Sequence, residues 1–273
     1  MRSARVLTLA GALALAATAV TATQARAVTL PDPAPCAGGA CWDPEPTTEP
    51  WQWQLQGRID LSVPAPVFDI DMDNPVGVVD RIHAQGDRAI CYLSVGTHEP
   101  FRDDANRFPR RVLGKRLARF ENERWLDIRK LDLLRPIMEA RFDRCREKGF
   151  DAVEPDVVDG YQNRTGLPLK ARHQLAYNAW VANAVHERGM AVGLKNDLGQ
   201  VDRLLPYFDF AVNEQCFQYR ECGLLDPFIA AGKPVFGAEY KLGRARFCER
   251  SISHRFSTIK KRFSLRAFRR TCG

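Results

Sequence analysis

Residues 149–156 read Gly-Phe-Asp-Ala-Val-Glu-Pro-Asp: a glycine, a short run centred on apolar residues, and carboxylates at the far end. The same pattern recurs three times, with Gly86 ahead of AICYLSVGTHEP (89–100), Gly189 ahead of MAVGLKND (190–197) and Gly232 ahead of KPVFGAEY (233–240). Glycine suits the left-handed position just past a helix. Near-continuous apolar strands suit a parallel sheet covered on both faces. Four such joints therefore predict repeated βα units.

The stretches between the joints read as helices. Asn74-Pro75 predicts an N-cap and first helical residue, with Val79, Ile82 and His83 on one face. Asp132 can cap a helix carrying Leu134, Ile137, Met138, Phe142 and Cys145, and residues 169–188 form a third. Weaker strands at 53–56, 66–70, 208–214 and 256–260 bring the number to eight. The expectation is an α/β chain with a single (β/α)8 TIM barrel over residues 51–273, including a basic tail at 241–273. An open doubly wound sheet is the alternative. The absence of G-x-G-x-x-G, P-loop and G-x-S-x-G patterns argues against the usual nucleotide-binding and serine-hydrolase classes.

The N-terminus has the outline of a secretory signal peptide over residues 1–27. Arg2 and Arg5 precede an Ala/Leu/Val run, and Ala25-Arg26-Ala27 offers a cleavage site. The run is too short to favour spanning a membrane. The mature chain is expected to be secreted, extracellular, monomeric and free of membrane after signal removal, with residues 28–50 as a Pro/Ala-rich leader. Eight cysteines in an exported chain read as disulfides. Spacing alone leaves about a hundred pairings open. Cys36/Cys41 and Cys216/Cys222 would close short loops and Cys248/Cys272 would pin the tail, which leaves Cys91 with Cys145.

The net charge of +7 is unevenly spread. From 241 to 273 eleven Lys/Arg stand against one acid, Glu249, whereas residues 28–240 hold 26 basic and 32 acidic side chains. The tail is expected to lie away from an acidic mouth, as a solvated helix rather than a segment that binds an anionic wall. Its interleaved Phe256, Phe263 and Phe268 could be imagined on nucleic acid; export with disulfides argues against that partner.

In a parallel barrel the C-terminal strand ends share the face where chemistry is built. Those ends collect Asp69 and Asp71, Tyr92 with His98 and Glu99, Glu154, Asp156, Asp159 and Tyr161, then Lys195, Asn196 and Asp197, then Asn213, Glu214 and Gln215, then Glu239 and Tyr240. The strand starts carry nothing comparable. Crowded carboxylates repel one another and resist desolvation, so a stability-only sequence has little reason to place them there. A surface loop whose acids pair with Lys or Arg is the plainer explanation.

Glycosidic cleavage needs one carboxylate at the oxocarbenium-like centre and a second carboxyl to protonate the leaving oxygen. Asp156, facing Lys195, suits the nucleophile or charge stabiliser. Glu214, in the less charged Asn-Glu-Gln setting, suits the general acid/base, unless it is merely an ion partner of Arg220. Asp69, Asp71, Tyr92, Glu154, Asp159, Tyr161, Lys195, Asn196, Gln215 and Glu239 are the candidates for binding substrate.

On the motifs WQWQLQG, FDIDMDN, AICYLSVG, GFDAVEPDVVDGY, VGLKND and FAVNEQC, which occur in this order, residues 53–240 resemble glycoside hydrolase family 114, the endo-α-1,4-polygalactosaminidases. The resemblance implies catalytic carboxylates at Asp156 and Glu214, a galactosamine-containing polymer as substrate and no cofactor. Val157 departs from it, since the family commonly has Asn after the Asp. Free galactosamine units carry ammonium groups, and an acidic mouth would attract such a polycation. A non-catalytic polysaccharide-binding barrel and a glycosidase of another polymer remain the alternatives.

Weaker signals have plainer explanations. The run from Asp69 starts like a calcium loop but lacks Gly and Glu at the required positions, so no metal is expected. Asn163 opens a glycosylation sequon, without consequence if the exporter is bacterial, as the Ala-rich signal suggests. Trp51 and Trp53 beside the first strand read as packing before sugar stacking.

Overall fold

The computed structural model describes residues 29–273 apart from Ala40; the expected signal and its cleavage site lie outside the described residues. No described helix is long and apolar enough to cross a membrane.

Strands β1 (Gln52–Gln54), β2 (Val67–Asp71) and β3 (Arg88–Ser94) open a parallel sheet. The chain then leaves it for a three-stranded antiparallel excursion, β4 (Thr97–His98), β5 (Leu113–Arg116) and β6 (Arg124–Leu126). It returns as β7 (Ala152–Asp156), β8 (Ala191–Lys195), β9 (Phe210–Glu214), β10 (Val235–Glu239) and β11 (Ser257–Lys260). Eight parallel strands thus lie side by side in chain order in one curled, TIM-like sheet. Helices α1 (Val78–His83), α2 (Leu131–Glu147), α3 (Ala171–His186), α4 (Val201–Leu204), α5 (Cys216–Tyr219), α6 (Asp226–Ala230) and α7 (Cys248–Ser253) fill the connections. The joint glycines Gly86, Gly149, Gly189 and Gly232 all have φ between 74° and 86°. This is the left-handed position that ends a helix and that side chains disfavour.

Side chains alternate across each strand, so every strand feeds two cores. Val153, Val192 and Ala211 join Phe142, Cys145, Ala179 and Leu204 in the layer between sheet and helices. Trp51, Trp53, Ile90, Ala152, Ala191, Phe210, Val212 and Phe236 fill the barrel interior. Gly193 makes room there, because a Cβ on it would fall 2.3 Å from the Phe210 ring. With Ala152 inward, Glu154 and Asp156 are inward too, and the same count places Lys195 and Glu214 inside the rim of their strands.

Three local expectations change. Asn74 does not cap α1; its amide donates to Asp71 O, and the helix begins after Gly77, at φ 83°. Asp132 lies within the first turn of α2 rather than ahead of it. The tail is not a solvated helix. Its last part is irregular and lies along the seam between β11 and β1, where among the described residues no ladder pairing forms. Leu265 O accepts from Leu55 N and Gln56 N, and the fully buried Lys261 donates to Gln52 Oε1 and Arg266 O. Burial, with Arg269 beside it, pushes the Lys261 ammonium down to about 7.

All four expected disulfides form. Cys91–Cys145 ties β3 to α2, Cys216–Cys222 closes a turn around α5, and Cys248–Cys272 fastens the tail to α7. Cys36–Cys41 lies in the extended leader, which is bonded to the barrel through Ala34 N to Asn183 Oδ1 and Tyr207 OH to Pro31 O.

Candidate active site

Lys195, the last residue of β8, is the centre of the polar cluster at the C-terminal strand ends. Its ammonium is 2 % exposed and lies 2.8 Å from Glu154 Oε1, 2.9 Å from Asp156 Oδ1 and 3.5 Å from Glu214 Oε2. The Trp53 ring sits beneath it at 4.7 Å. Burial alone would push the ammonium down, but Asp156, Glu154 and Glu214 outweigh it and hold Lys195 well above its ordinary range. It is a fixed positive charge. On the β8 side the β7 ladder stops at Val153–Val192, ahead of Pro155, which has no N–H to give.

Asp156 carries the expected contact with Lys195 and accepts a second hydrogen bond from Tyr92 OH at 2.7 Å. Burial would raise its pKa, yet Lys195, the Tyr92 hydroxyl and the Val157 N–H hold it below the usual carboxylate range. Glu214 accepts from Tyr240 OH at 2.5 Å and from Asn196 Nδ2 at 3.4 Å, while Asn196 Oδ1 accepts from the Glu214 N–H. Its setting is therefore not the less charged one that the flanking Asn and Gln suggest, since it shares Lys195 with Asp156. The Asp156 and Glu214 side chains remain 21 % and 30 % exposed, so both reach the mouth.

The other candidates divide by where alternation and partners put them. Asn196 and Gln215 follow directly on Lys195 and Glu214 and, with Asp159, Asp197 and Glu214, line a cavity of about 310 Å3. Tyr161 accepts from Gln162 Nε2 beside it, and Tyr92 is tied to Asp156. Burial pushes Asp159 up, and pushes Asp197 up to about 8.

Asp69 and Glu154 are fully buried below the rim and present no surface to a ligand, which corrects the expectation that they touch substrate. Burial, and then the charge of Glu154, holds Asp69 well above the carboxylate range; burial raises Glu154 too, against the opposing pull of Lys195. The two carboxyls are neighbours, and Glu154 is the one in contact with Lys195. Asp71 is likewise taken: both its oxygens accept from Arg102, at 2.6 and 2.8 Å. Arg102 also binds Asp73 and Glu99, which anchors the β4–β6 excursion to the barrel. Glu239 points to the helix side of its strand, where Oε1 accepts from the N–H groups of Phe217 and Gln218 at the start of α5.

Tyr240 is the side chain that alternation should have favoured over Glu239, because Phe236, Ala238 and Tyr240 share the inward face. Arg119, from the β5–β6 turn, also lines the cavity, and nothing in the sequence signals it. Trp51 and Trp53 pack against each other in the interior and are buried, as packing residues should be. A larger cavity of about 750 Å3 lies at the strand starts beside Pro50, Pro66 and Arg269, away from this cluster.

A fixed ammonium between an ionised carboxylate and a second, hydroxyl-bonded carboxyl is an arrangement able to cleave an acetal by paired nucleophilic and acid/base action. The comparisons agree with that chemistry. Residues 33–273 match the glycoside hydrolase family GH114. The crystal structure of Aspergillus fumigatus Ega3 in complex with galactosamine is 34% identical, covers 85% of this chain and 97% of that one, and superposes with a TM-score of 0.80. The glycoside hydrolase domain of PelA from Pseudomonas aeruginosa, 15% identical over 81% of this chain and 98% of that one, shares the fold at a TM-score of 0.67. No curated protein sequence matches. The chain belongs to glycoside hydrolase family GH114 and is a glycoside hydrolase.

Proposed function

We propose that the protein is a secreted, endo-acting hydrolase of α-1,4-linked galactosamine-containing polysaccharide, with Asp156 as nucleophile and Glu214 as general acid/base. The observation that carries this reading is Lys195, whose one ammonium holds both exposed carboxyls at the mouth. The likeness to a protein solved with galactosamine supports the substrate class, and the disulfides support secretion.

Asp156, kept ionised, attacks the anomeric carbon as the glycosidic C–O bond breaks, and Glu214 gives its proton to the departing oxygen. Water then adds to the anomeric carbon, transferring its proton to Glu214 and releasing Asp156. The Tyr240 hydroxyl and the Asn196 amide hold Glu214 in place for both steps. Asp156 Oδ1 and Glu214 Oε2 are at most about 6.4 Å apart, the limit set by their 2.9 and 3.5 Å distances from one nitrogen. That limit favours the close pair of a retaining enzyme. Asn196, Gln215, Asp159 and Tyr161 stand at the rim for sugar contacts, while Asp69 and Glu154 support Lys195 from below.

Asp156→Asn and Glu214→Gln should each reduce release of new reducing ends from purified polygalactosamine by about a thousandfold or more, the order seen when one member of a catalytic unit is removed. Undiminished cleavage by either variant would overturn its assigned role. Binding of the polymer without any new reducing ends from the wild type would overturn the hydrolytic assignment on this substrate.

A further inference from the structure

Phe263 stands in the tail, yet it belongs to the mouth. Its ring stacks on Tyr240 with centroids 4.2 Å apart and planes at 25°, and Tyr240 donates to Glu214. Nevertheless 47% of Phe263 stays exposed, a large share for an aromatic ring held on a neighbour. Arg119, from the β5–β6 turn, lays its guanidinium 4.2 Å from the Phe263 ring centroid. The Arg119 side chain also forms part of the wall of the cavity that holds Glu214, Asp159 and Asp197. Two segments 144 positions apart thus meet over one aromatic face beside the acid/base carboxyl.

A cation on an exposed aromatic face is weakly held, and a positive side chain opposes entry of a positively charged substrate. Both facts make Arg119 displaceable by another cation that offers more contacts. The ring it covers is one Tyr240 away from Glu214, the carboxyl assigned to protonate the leaving oxygen.

We propose that the Tyr240–Phe263 stack is a subsite for the amino sugar on the leaving-group side of the cleaved bond, and that Arg119 is a built-in competitor occupying it in the free enzyme. The ammonium of a galactosamine unit replaces the guanidinium over the Phe263 ring. An N-acetylated unit has no cation to place there and leaves Arg119 where it is. The subsite therefore selects de-N-acetylated units, with Arg119 setting the threshold. This inference rests on the hydrolytic reading above for the orientation of the chain, but the subsite itself can be read by binding alone.

The test measures binding of a defined α-1,4-galactosamine tetramer and of its N-acetylated counterpart to the catalytically silenced Glu214→Gln protein, by calorimetry. The background is then changed by Phe263→Leu, by Arg119→Ala and by both. The expected results are tighter binding of the amino tetramer with R119A, and about fivefold weaker binding when F263L is added to R119A, where no guanidinium competes for the ring, the order of one exposed cation–π contact. That gain should vanish when F263L is also present, and the N-acetylated tetramer should respond to neither. Unchanged binding when F263L is added to R119A, or unchanged or weaker binding with R119A, overturns the subsite. Should F263L fail to fold, Phe263→Met takes its place, because R119A alone would also tighten binding of a polycation by removing a like charge. Failure of the wild type to cut the amino tetramer would instead count against the hydrolytic reading, so the two failures are distinguishable.

Discussion

Val157 shows at the scale of one residue what the site demands. It sits at φ 62°, in the left-handed region that a β-branched side chain resists. In return its N–H is turned onto the Asp156 carboxylate and helps to keep it ionised. The strain is invisible in the sequence, because a valine after an apolar strand looks like more strand. Only the resemblance, with its usual Asn, marks the position as unusual, and Asn is the non-glycine residue that tolerates this conformation best. Val157→Asn should therefore stabilise the fold by about 1 kcal/mol, a rise of about 2–4 °C in the melting temperature of a chain this size. A thermal scan with an unchanged or lower midpoint would show that the left-handed valine carries no recoverable strain.

At the scale of elements, three neighbouring strands end in the same way. Asp156, Lys195 and Glu214 close β7, β8 and β9, and each is followed at once by a left-handed residue, Val157 at 62°, Asn196 at 50° and Gln215 at 66°. The turn takes the backbone off the strand while the last side chain keeps its inward direction. Gly96, after β3, is what lets the first of these turns close. A Cβ there would fall 1.8 Å from Val157 O. Gly96→Ala must displace the end of β7 and with it Asp156, so it should cost about 1–3 kcal/mol of stability as an overpacked contact. It should also lower kcat by at least about tenfold, in keeping with the sensitivity of catalysis to small misplacements. Wild-type kcat in a folded G96A protein would sink this account.

Strand ends and their inward faces were legible because alternation and the glycine joints are local rules. The partners were not. Asp71 looks as available as Asp156 until Arg102, thirty-one positions on, takes both its oxygens. Glu239 looks like a rim acid until α5 brings two N–H groups to it. Asp69 and Glu154 sit on the correct face but one layer too deep, a depth set by strand stagger rather than by sequence.

The whole molecule solves a closure problem with the segment that sequence reading set aside. Its positive charge was plain, and positive charge on a tail suggests solvent. Its Arg269, however, binds backbone carbonyls about two hundred residues earlier. The half-buried Arg269 donates to Pro50 O at 3.1 Å, Trp51 O at 2.8 Å and Pro64 O at 2.7 Å, joining the starts of the first two strands to the end of the chain. Lys260 adds bonds to Tyr240 O and Leu242 O, and Cys248–Cys272 fixes the segment from its far end. The tail is thus a fastener for the seam, and through Phe263 it reaches the mouth as well. Arg269→Ala would strip donors from three carbonyls beside that seam. Each unsatisfied group costs about 1 kcal/mol or more where water cannot replace the donor, so the loss should total about 2–3 kcal/mol. Arg255→Ala, which removes an equal charge from an exposed position of the same basic stretch, should stay within about 0.5 kcal/mol of wild type. Chemical denaturation of both variants under non-reducing conditions separates the two accounts. Equal, small losses would mean that the tail's charge is only solvated surface, whereas a loss confined to R269A shows that the barrel is held shut by its C-terminus.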